Sequence, residues 1–221
     1  MFSKLSVGLE KQVEKGIAVL KTGGLVAYPT DTVYGLGASA LIEEAVRRIY
    51  AVKKRPVNQA FPLLLAHISQ ISDVAVNIPP LAWFLAAKFM PGALTLVLYR
   101  SICVSDAVTG GSNKVGVRVP AHPVPIALVE GIGAPLVGTS ANLSGHPSAV
   151  TAEEVAAQIG KDIDFIINGE RAPSGVESTV IDVTGETPLI LRQGAIPLEE
   201  LEKASRIFDP HLRFILNNSN K

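Results

Sequence analysis

The sequence predicts an α/β fold in which helices flank a mixed β-sheet. Apolar residues recur at helical spacing in the segments Glu10–Lys21 and Ile42–Val52. Between the helical segments lie short apolar runs of strand length, the first of which is Leu25–Ala27. Strands and helices intermix without strict alternation, so we expect parallel and antiparallel pairs within one sheet.

The composition indicates a compact globular chain without a strong charge bias. Of the 221 residues, 48% are hydrophobic and 18% are charged, which excludes an intrinsically disordered protein. The 20 Lys and Arg residues balance the 20 Asp and Glu residues. The chain therefore lacks the overall basic field that favours nucleic-acid binding.

A single cysteine, Cys103, excludes an internal disulfide framework and suits a reducing compartment. We predict that it is a small buried or half-buried residue and not a catalytic thiol. The first residues, Met1–Leu5, contain no long apolar region, and no run approaches 18 apolar residues. We therefore expect no signal peptide, no membrane span and a cytoplasmic protein.

The first helix is predicted to end at Gly23-Gly24, and the strand Leu25–Ala27 follows it. The next segment, Tyr28–Gly37, is polar: Pro29 ends regular strand pairing, and two threonines, an aspartate and a tyrosine follow. Gly35 and Gly37 suit positive φ angles or a close approach of the backbone to a ligand. Loops at strand ends often carry function, so this segment is the first candidate for a site.

The remaining elements are predicted from the spacing of apolar residues and from the positions of proline and glycine. Pro79-Pro80 and Pro91-Gly92 bound one helix, and the capping-box pattern from Thr151 to Glu154 begins another. The helices predicted after the first two are Pro80–Met90, Val124–Glu130, Ala152–Ile159 and Leu198–Ala204. The strands predicted after the first are Phe61–Ala66, Ala93–Tyr99, Lys114–Val119, Ala134–Val137, Asp164–Ile167, Ser178–Val183 and Leu189–Arg192.

Two further polar segments contain groups that suit phosphate. Lys53 and Arg55 present cationic donors at the end of the second helix, although a solvated helix end explains them equally simply. Ser140, Asn142 and Ser144 offer hydroxyls and backbone N–H groups that could cradle phosphate, and the alternative is a plain turn. No Walker A sequence is present, so a P-loop fold is not indicated.

Arg118 lies in a short apolar strand, where an inward-facing cation needs an anionic partner. That partner is either a structural carboxylate or the carboxylate of a ligand. The four histidines match no metal-ligand spacing, and no nucleophile elbow is visible. From the residues alone, we expect a polar cleft for a phosphorylated or carboxylated small molecule.

Seven blocks stand in a characteristic order between roughly residues 10 and 200: Pro29–Gly37, Lys53-x-Arg55-Pro56, Pro91–Thr95, Val117–Pro120, Ser140-Ala-Asn142, Gly175–Thr179 and Leu191-Arg192-x-Gly194. Together they resemble the YrdC-like family of threonylcarbamoyl-AMP synthases. The resemblance implies a twisted mixed sheet with flanking helices around a concave, positively charged cleft. It implies one YrdC-like domain over residues 1–205 and a short C-terminal extension over 206–221.

The resemblance also implies a nucleotidyltransferase. L-threonine, bicarbonate and ATP, with Mg²⁺ expected on the ATP, give L-threonylcarbamoyl-AMP and pyrophosphate. The product is used for threonylcarbamoyl-adenosine modification of tRNA, so the partners implied are downstream transfer proteins, together with weak RNA binding. Two alternatives stay open: a YrdC-like paralogue that binds RNA or nucleotide without synthase activity, and a carbamoyl-transfer domain like that of hydrogenase-maturation proteins.

By the same resemblance, each block contributes to a substrate site, with Lys53 and Arg55 as the catalytic pair and no residue assigned as a metal ligand. The threonine-binding residues implied are Thr32, His67, Arg118, Gly138 and Ser178. The ATP-binding residues implied are Lys53, Arg55, Gln59, Lys114, Ser140, Asn142, Ser148 and Arg192. The chain departs from the family pattern at Lys114, where a hydroxyl residue is usual, at Gly138, and in a segment at 57–62 that is about two residues longer.

Overall fold

The computed structural model describes residues 5–217, and the predictions for residues 1–4 and 218–221 lie outside that range. Within it, each predicted helix is present, together with two short helices that were not predicted. Their bounds are α1 Val7–Lys21, α2 Glu43–Lys53, α3 Ile71–Val74, α4 Pro80–Phe89, α5 Asp106–Thr109, α6 Pro123–Ile132, α7 Ala152–Ile159 and α8 Leu198–Phe208. The two that were not predicted are α3 and α5. A single turn of 3₁₀ helix, Ile68–Gln70, precedes α3.

The strands of the described chain join one mixed sheet in the order β11-β10-β9-β5-β6-β3-β7-β2-β1-β8, with β4 paired to β5. Their bounds are β1 Val26–Tyr28, β2 Gly35–Ser39, β3 Leu63–Leu64, β4 Ala75–Val76, β5 Leu94–Arg100, β6 Lys114–Arg118, β7 Leu136–Ser140, β8 Phe165–Ile166, β9 Thr179–Asp182, β10 Leu189–Arg192 and β11 Ile215–Leu216. The pairs β3–β6, β5–β9 and β1–β8 are parallel, while β1–β2 and β2–β7 are antiparallel. The predicted mixed α/β fold is therefore confirmed.

Two apolar clusters make up the core of the described chain. The larger includes Val46 and Ile49, which are on the face of α2 that the period marks as buried. The smaller packs Val13 and Leu20 of α1 with Leu128 of α6. The helices cover the sheet because each buries one apolar stripe.

The segment after Pro29 is shorter than predicted, because its last residues form a strand. Gly35 and Gly37 lie in β2, which pairs with β1 and β7, and neither has a positive φ. A Cβ on Gly35 would lie 2.7 Å from the Tyr28 ring, and one on Gly37 would lie 2.7 Å from the carbonyl oxygen of Val137. The close approach expected at these glycines is therefore to the protein's own strands.

Beyond Ala204 the chain stays ordered within the described range. Helix α8 continues to Phe208, and β11 adds a parallel edge strand to β10. The predicted domain boundary at residue 205 falls inside α8. The separate C-terminal extension stays a prediction.

The prediction for Cys103 is wrong, because its side chain is exposed. The residue lies in a turn between β5 and α5, where no element covers it. Among the described helices, none has the length and apolar character needed to cross a bilayer.

Candidate functional site

A cavity of about 470 Å³ opens against the sheet, a size typical of small-molecule sites. Strands from both halves of the sheet contribute to its lining, as does the segment that precedes β2. The cationic side chains that line it are Arg55, Lys114, Arg118 and Arg192, the carboxylates are Glu177 and Asp182, and the hydroxyls include Thr30, Thr32, Thr95, Ser140 and Ser178.

Arg118, the last residue of β6, is held at one wall of this cavity. Its Nη2 donates to Asp31 Oδ1 over 2.6 Å, its Nη1 donates to Thr32 Oγ1 over 3.1 Å, and its Nε donates to Gly92 O over 2.9 Å. Both side chains of the ion pair are nearly covered, with 9% of Arg118 and 14% of Asp31 exposed. Arg118 thus has a structural carboxylate partner. Of its five N–H groups, two bond to no described residue and remain for a ligand.

The hydroxyl protons of Thr30 and Thr32 have defined directions. Thr30 Oγ1 donates to Val33 O over 2.6 Å, so its 3.0 Å contact with Thr32 Oγ1 must be one in which it accepts. Thr32 Oγ1 therefore donates to Thr30 and accepts from Arg118. One lone pair of Thr32 Oγ1 is left to accept a hydrogen bond from a substrate.

On another wall, Arg192 of β10 organises the residues just before β9. Its Nη2 donates to Ser178 Oγ over 3.1 Å, its Nε donates to Ser178 O over 3.0 Å, and its Nη1 forms an ion pair with Glu177. Ser178 Oγ also lies 2.8 Å from Thr95 Oγ1. These contacts fix the side chain of Ser178 in the lining.

Glu177 is a functional candidate that sequence reasoning missed. Burial alone would raise the pKa of this carboxyl, but Arg192, hydrogen bonds from Ser148 and Ser140, and Lys53 together hold it below its usual value. The side chain of Ser148, predicted to bind ATP, donates to Glu177 Oε1 over 3.0 Å. This glutamate lies in the block Gly175–Thr179. Nothing in the sequence singles it out, because a carboxylate is not expected in a site for anionic substrates.

Lys53 does not line the cavity and supports the wall that carries Ser140. Its Nζ donates to Ser140 O over 2.5 Å, to Asn142 O over 2.8 Å and to Asn142 Oδ1 over 3.2 Å. Three acceptors match the three N–H donors of an ammonium group. The solvated-helix-end interpretation is wrong for this residue, since it is only 2% exposed. Asn142, also predicted to bind ATP, is likewise outside the lining and turns its amide group to the carbonyl of His146.

Arg55 lines the cavity and is braced by the longer segment that follows it. Its Nε donates to Gln59 O over 3.3 Å and its Nη2 donates to Ala60 O over 3.0 Å, while its guanidinium lies 5.0 Å from the centre of the Phe61 ring. Gln59 therefore acts through its backbone carbonyl, and it does not line the cavity.

Lys114 lines the cavity and pairs with Asp182, with 2.7 Å between Nζ and Oδ2. Burial raises the pKa of Asp182, but hydrogen bonds from Lys114 and Thr184 more than offset this and lower it. Lys114 is thus available to a ligand only as one member of an ion pair, and Asp182 is a second carboxylate that sequence reasoning missed.

The structure does not bring His67 to the cavity. Its side chain is 65% exposed, and its Nε2 lies 3.5 Å from Glu130 Oε1. The residue follows β3 at the point where the chain turns into the 3₁₀ helix, so its side chain faces outward. The predicted site residues that do meet in the lining are Thr32, Arg55, Lys114, Arg118, Gly138, Ser140, Ser178 and Arg192.

The family resemblance implies a nucleotide in this cavity, and for that ligand we predict that Lys53 makes the binding affinity depend on pH. Burial lowers its pKa from 10.5 to about 8, with Arg55 adding to the effect and Glu177 opposing it. Above that pH the ammonium loses a proton and one of its three donors. We expect the affinity for a non-hydrolysable ATP analogue, measured by calorimetry, to fall about tenfold between pH 7 and 9.5. This is the usual effect of losing one hydrogen bond to a charged group.

The same titration should act on stability with the opposite sign. The folded state gives up this proton at lower pH than the unfolded chain, so between pH 8 and 10.5 the contribution of Lys53 to stability rises with pH. In Lys53→Met, neither the affinity for the ATP analogue nor the stability should show this dependence on pH. In Lys54→Met, a change at the exposed neighbour, both should keep it. An affinity step that persists in Lys53→Met would contradict the assignment.

Comparisons with known proteins identify relatives of this chain. A family model for the Sua5, YciO and YrdC proteins, described as telomere recombination, matches residues 18–194. The threonylcarbamoyl-AMP synthase of Pyrococcus abyssi is 45% identical over 194 residues, which are 88% of this chain and 57% of that protein. The enzyme of the same name from Bacillus subtilis is 41% identical, over 87% of this chain and 56% of that protein.

Among solved structures, P. abyssi Sua5 complexed with L-threonine superposes with a TM-score of 0.88 at 43% identity. The match covers 93% of this chain and 59% of that one. The chain thus spans somewhat more than half the length of these relatives.

Proposed function

This chain belongs to the Sua5, YciO and YrdC family, and from that premise we propose that it is an L-threonylcarbamoyladenylate synthase. It would join L-threonine, bicarbonate and ATP to give threonylcarbamoyl-AMP and pyrophosphate. The observation that carries the proposal is that Arg118 and Thr32 line the same cavity as Arg55, Ser140 and Arg192. An amino-acid carboxylate and a polyphosphate need such donors in one place.

Threonine would bind at the wall formed by Arg118. The two N–H groups of Arg118 that Asp31, Thr32 and Gly92 leave free suit the α-carboxylate, because charge-assisted hydrogen bonds to carboxylates are strong. The remaining lone pair of Thr32 Oγ1 would accept from the amine or hydroxyl of the substrate. Ser178 adds a hydroxyl to the same lining.

The triphosphate would bind across Arg55, Ser140 and Arg192. We also propose that the cleft is positively charged, because four cationic side chains line it against two carboxylates. Lys53 would serve by fixing the carbonyls of Ser140 and Asn142 and by adding charge behind that wall. Of the predicted catalytic pair, Arg55 would therefore contact the triphosphate, whereas Lys53, which does not line the cavity, would be a positioning residue that acts through Ser140.

The chemistry requires positioning and stabilisation of charge. The amine of threonine and bicarbonate form a carbamate with loss of water. A carbamate oxygen then forms a bond to the α-phosphorus, and the bond from that phosphorus to the bridging oxygen breaks to release pyrophosphate. Arg55 and Arg192 would stabilise the charge that develops on the leaving group.

Mg²⁺ is the divalent ion that we propose for the ATP. No cluster of three or more His, Cys, Asp or Glu side chains that could hold a metal occurs within residues 5–217. Magnesium commonly binds through substrate phosphates and one or two carboxylates. Glu177 and Asp182, which both line the cavity and both have a lowered pKa, are the carboxylates that fit this role.

The proposal extends to the protein's setting. Its product would pass, in the cytoplasm, to proteins that modify adenosine in tRNA, with at most weak binding of RNA by this chain. Residues 1–205 would form the catalytic domain, and 206–221 a C-terminal extension.

The test is the substrate dependence of pyrophosphate release. We expect release from ATP to require both L-threonine and bicarbonate, to stop when EDTA removes the divalent ion, and to yield labelled threonylcarbamoyl-AMP from labelled threonine. Release that is equally fast without threonine would refute the proposal. Salt-sensitive RNA binding without any threonine-dependent release would instead support the paralogue alternative.

A further inference from the structure

Tyr28 is a buried residue of the cavity wall that has no role in the site described above. It ends β1 and pairs with Gly35 across the hairpin. A Cβ at Gly35 would lie 2.7 Å from Tyr28 Cε2, and a Cβ at Gly37 would lie 3.0 Å from Tyr28 Cε1. Two glycines thus make room for this ring. A phenylalanine ring would need the same room, so packing alone does not explain the hydroxyl.

The hydroxyl of Tyr28 is buried, and it has no hydrogen-bond partner among the described residues. A buried donor without a partner destabilises a fold, and a native one calls for an explanation. Tyr34 shows the usual arrangement: its hydroxyl accepts from Gly169 N over 3.1 Å and donates to Gly169 O over 3.3 Å. Ser105, Thr109 and Ser205 also have buried hydroxyls without a partner in the described chain, but of these four residues only Tyr28 lines the cavity.

The surroundings of Tyr28 limit what a partner could be. Tyr28 lines the same cavity as Thr32, Arg118 and Gly138. Burial raises the pKa of its hydroxyl well above 10, although the nearby charge of Arg118 opposes this. At neutral pH the group is therefore a neutral donor and cannot serve as a base. The complement of such a donor beside a guanidinium is an anionic oxygen.

We propose that the Tyr28 hydroxyl donates a hydrogen bond to a carboxylate-type oxyanion of the substrates in the cavity. The inference rests on the proposed synthase function and deepens it. Two sources of that chemistry are present in the reaction, the α-carboxylate of L-threonine and bicarbonate. The hydroxyl is fully covered in this structure, so substrate must open the wall slightly as it seats.

Tyr28→Phe tests the proposal by two measurements made on the whole chain. Because the hydroxyl has no partner within residues 5–217, the thermal midpoint of Tyr28→Phe should equal or exceed that of the wild type. Its KM for one of the two carboxylate-type substrates should rise about tenfold, as for one lost hydrogen bond to a charged group, while its KM for ATP stays unchanged. A rise for threonine or for bicarbonate identifies the source.

Tyr34→Phe is the matched control, since it removes a buried hydroxyl that has protein partners. It should lower the thermal midpoint without a selective change in KM. The inference is overturned if Tyr28→Phe lowers the midpoint as Tyr34→Phe does, if all three KM values stay at the wild-type level, or if they rise together. Wild-type protein without threonine-dependent pyrophosphate release would refute the proposed function itself, which is a separate outcome.

Discussion

Arg118→Ala is expected to abolish useful threonine binding, with a rise in the Kd for threonine of about a hundredfold or more. The change removes a covered guanidinium that lines the cavity and holds Thr32 Oγ1 in place. Affinity for an ATP analogue should change only a few-fold, because Arg55 and Arg192 remain. Calorimetric titrations with threonine and with the analogue measure both effects.

The same change should destabilise the fold, because it leaves Asp31 covered and without its cation. We expect a loss of about 3 kcal/mol in the free energy of unfolding, the usual cost of removing one partner of a buried pair. Adding Asp31→Asn to Arg118→Ala should recover part of that stability without restoring threonine binding. If threonine affinity returns along with stability, Arg118 has only a structural role.

Gly194→Ala is expected to disrupt the wall formed by Arg192 and Ser178. A Cβ at Gly194 would lie 2.5 Å from Ser178 O and would also overlap the backbone carbonyl of Glu177. Because these are backbone atoms, which cannot rotate away as a side chain can, the segment just after β10 must move away from the segment just before β9. We expect a loss of about 3 kcal/mol in the free energy of unfolding, at the upper end for overpacking, and a loss of most synthase activity.

Gly8→Ala is the matched control for this variant. It adds the same methyl group in α1, where nothing lies within 4 Å of the new Cβ. Since alanine favours a helix over glycine, urea unfolding should show equal or slightly higher stability with normal activity. Wild-type stability and activity in Gly194→Ala would show that β9 and β10 are not packed as described.

Much of the fold follows from local pattern. The helical spacing of apolar residues, together with Pro and Gly at helix ends, predicts α1, α2, α4, α6 and α7 to within a few residues. The spacing is visible because each of these helices buries one apolar stripe. Short elements such as α5 and β11 escaped prediction. A four-residue helix and a two-residue strand are held by tertiary contacts and carry too few residues for a period to show.

The sequence by itself determined the ordered blocks and the residue types of the site, and through them the family. Only the tertiary structure decided the partners, because contacts between residues far apart in the chain have no local signal. It joins Arg118 to Asp31, 87 residues away, and Lys53 to the carbonyl of Asn142, 89 residues away. It also turns His67 outward and leaves the Tyr28 hydroxyl without a partner in the described chain.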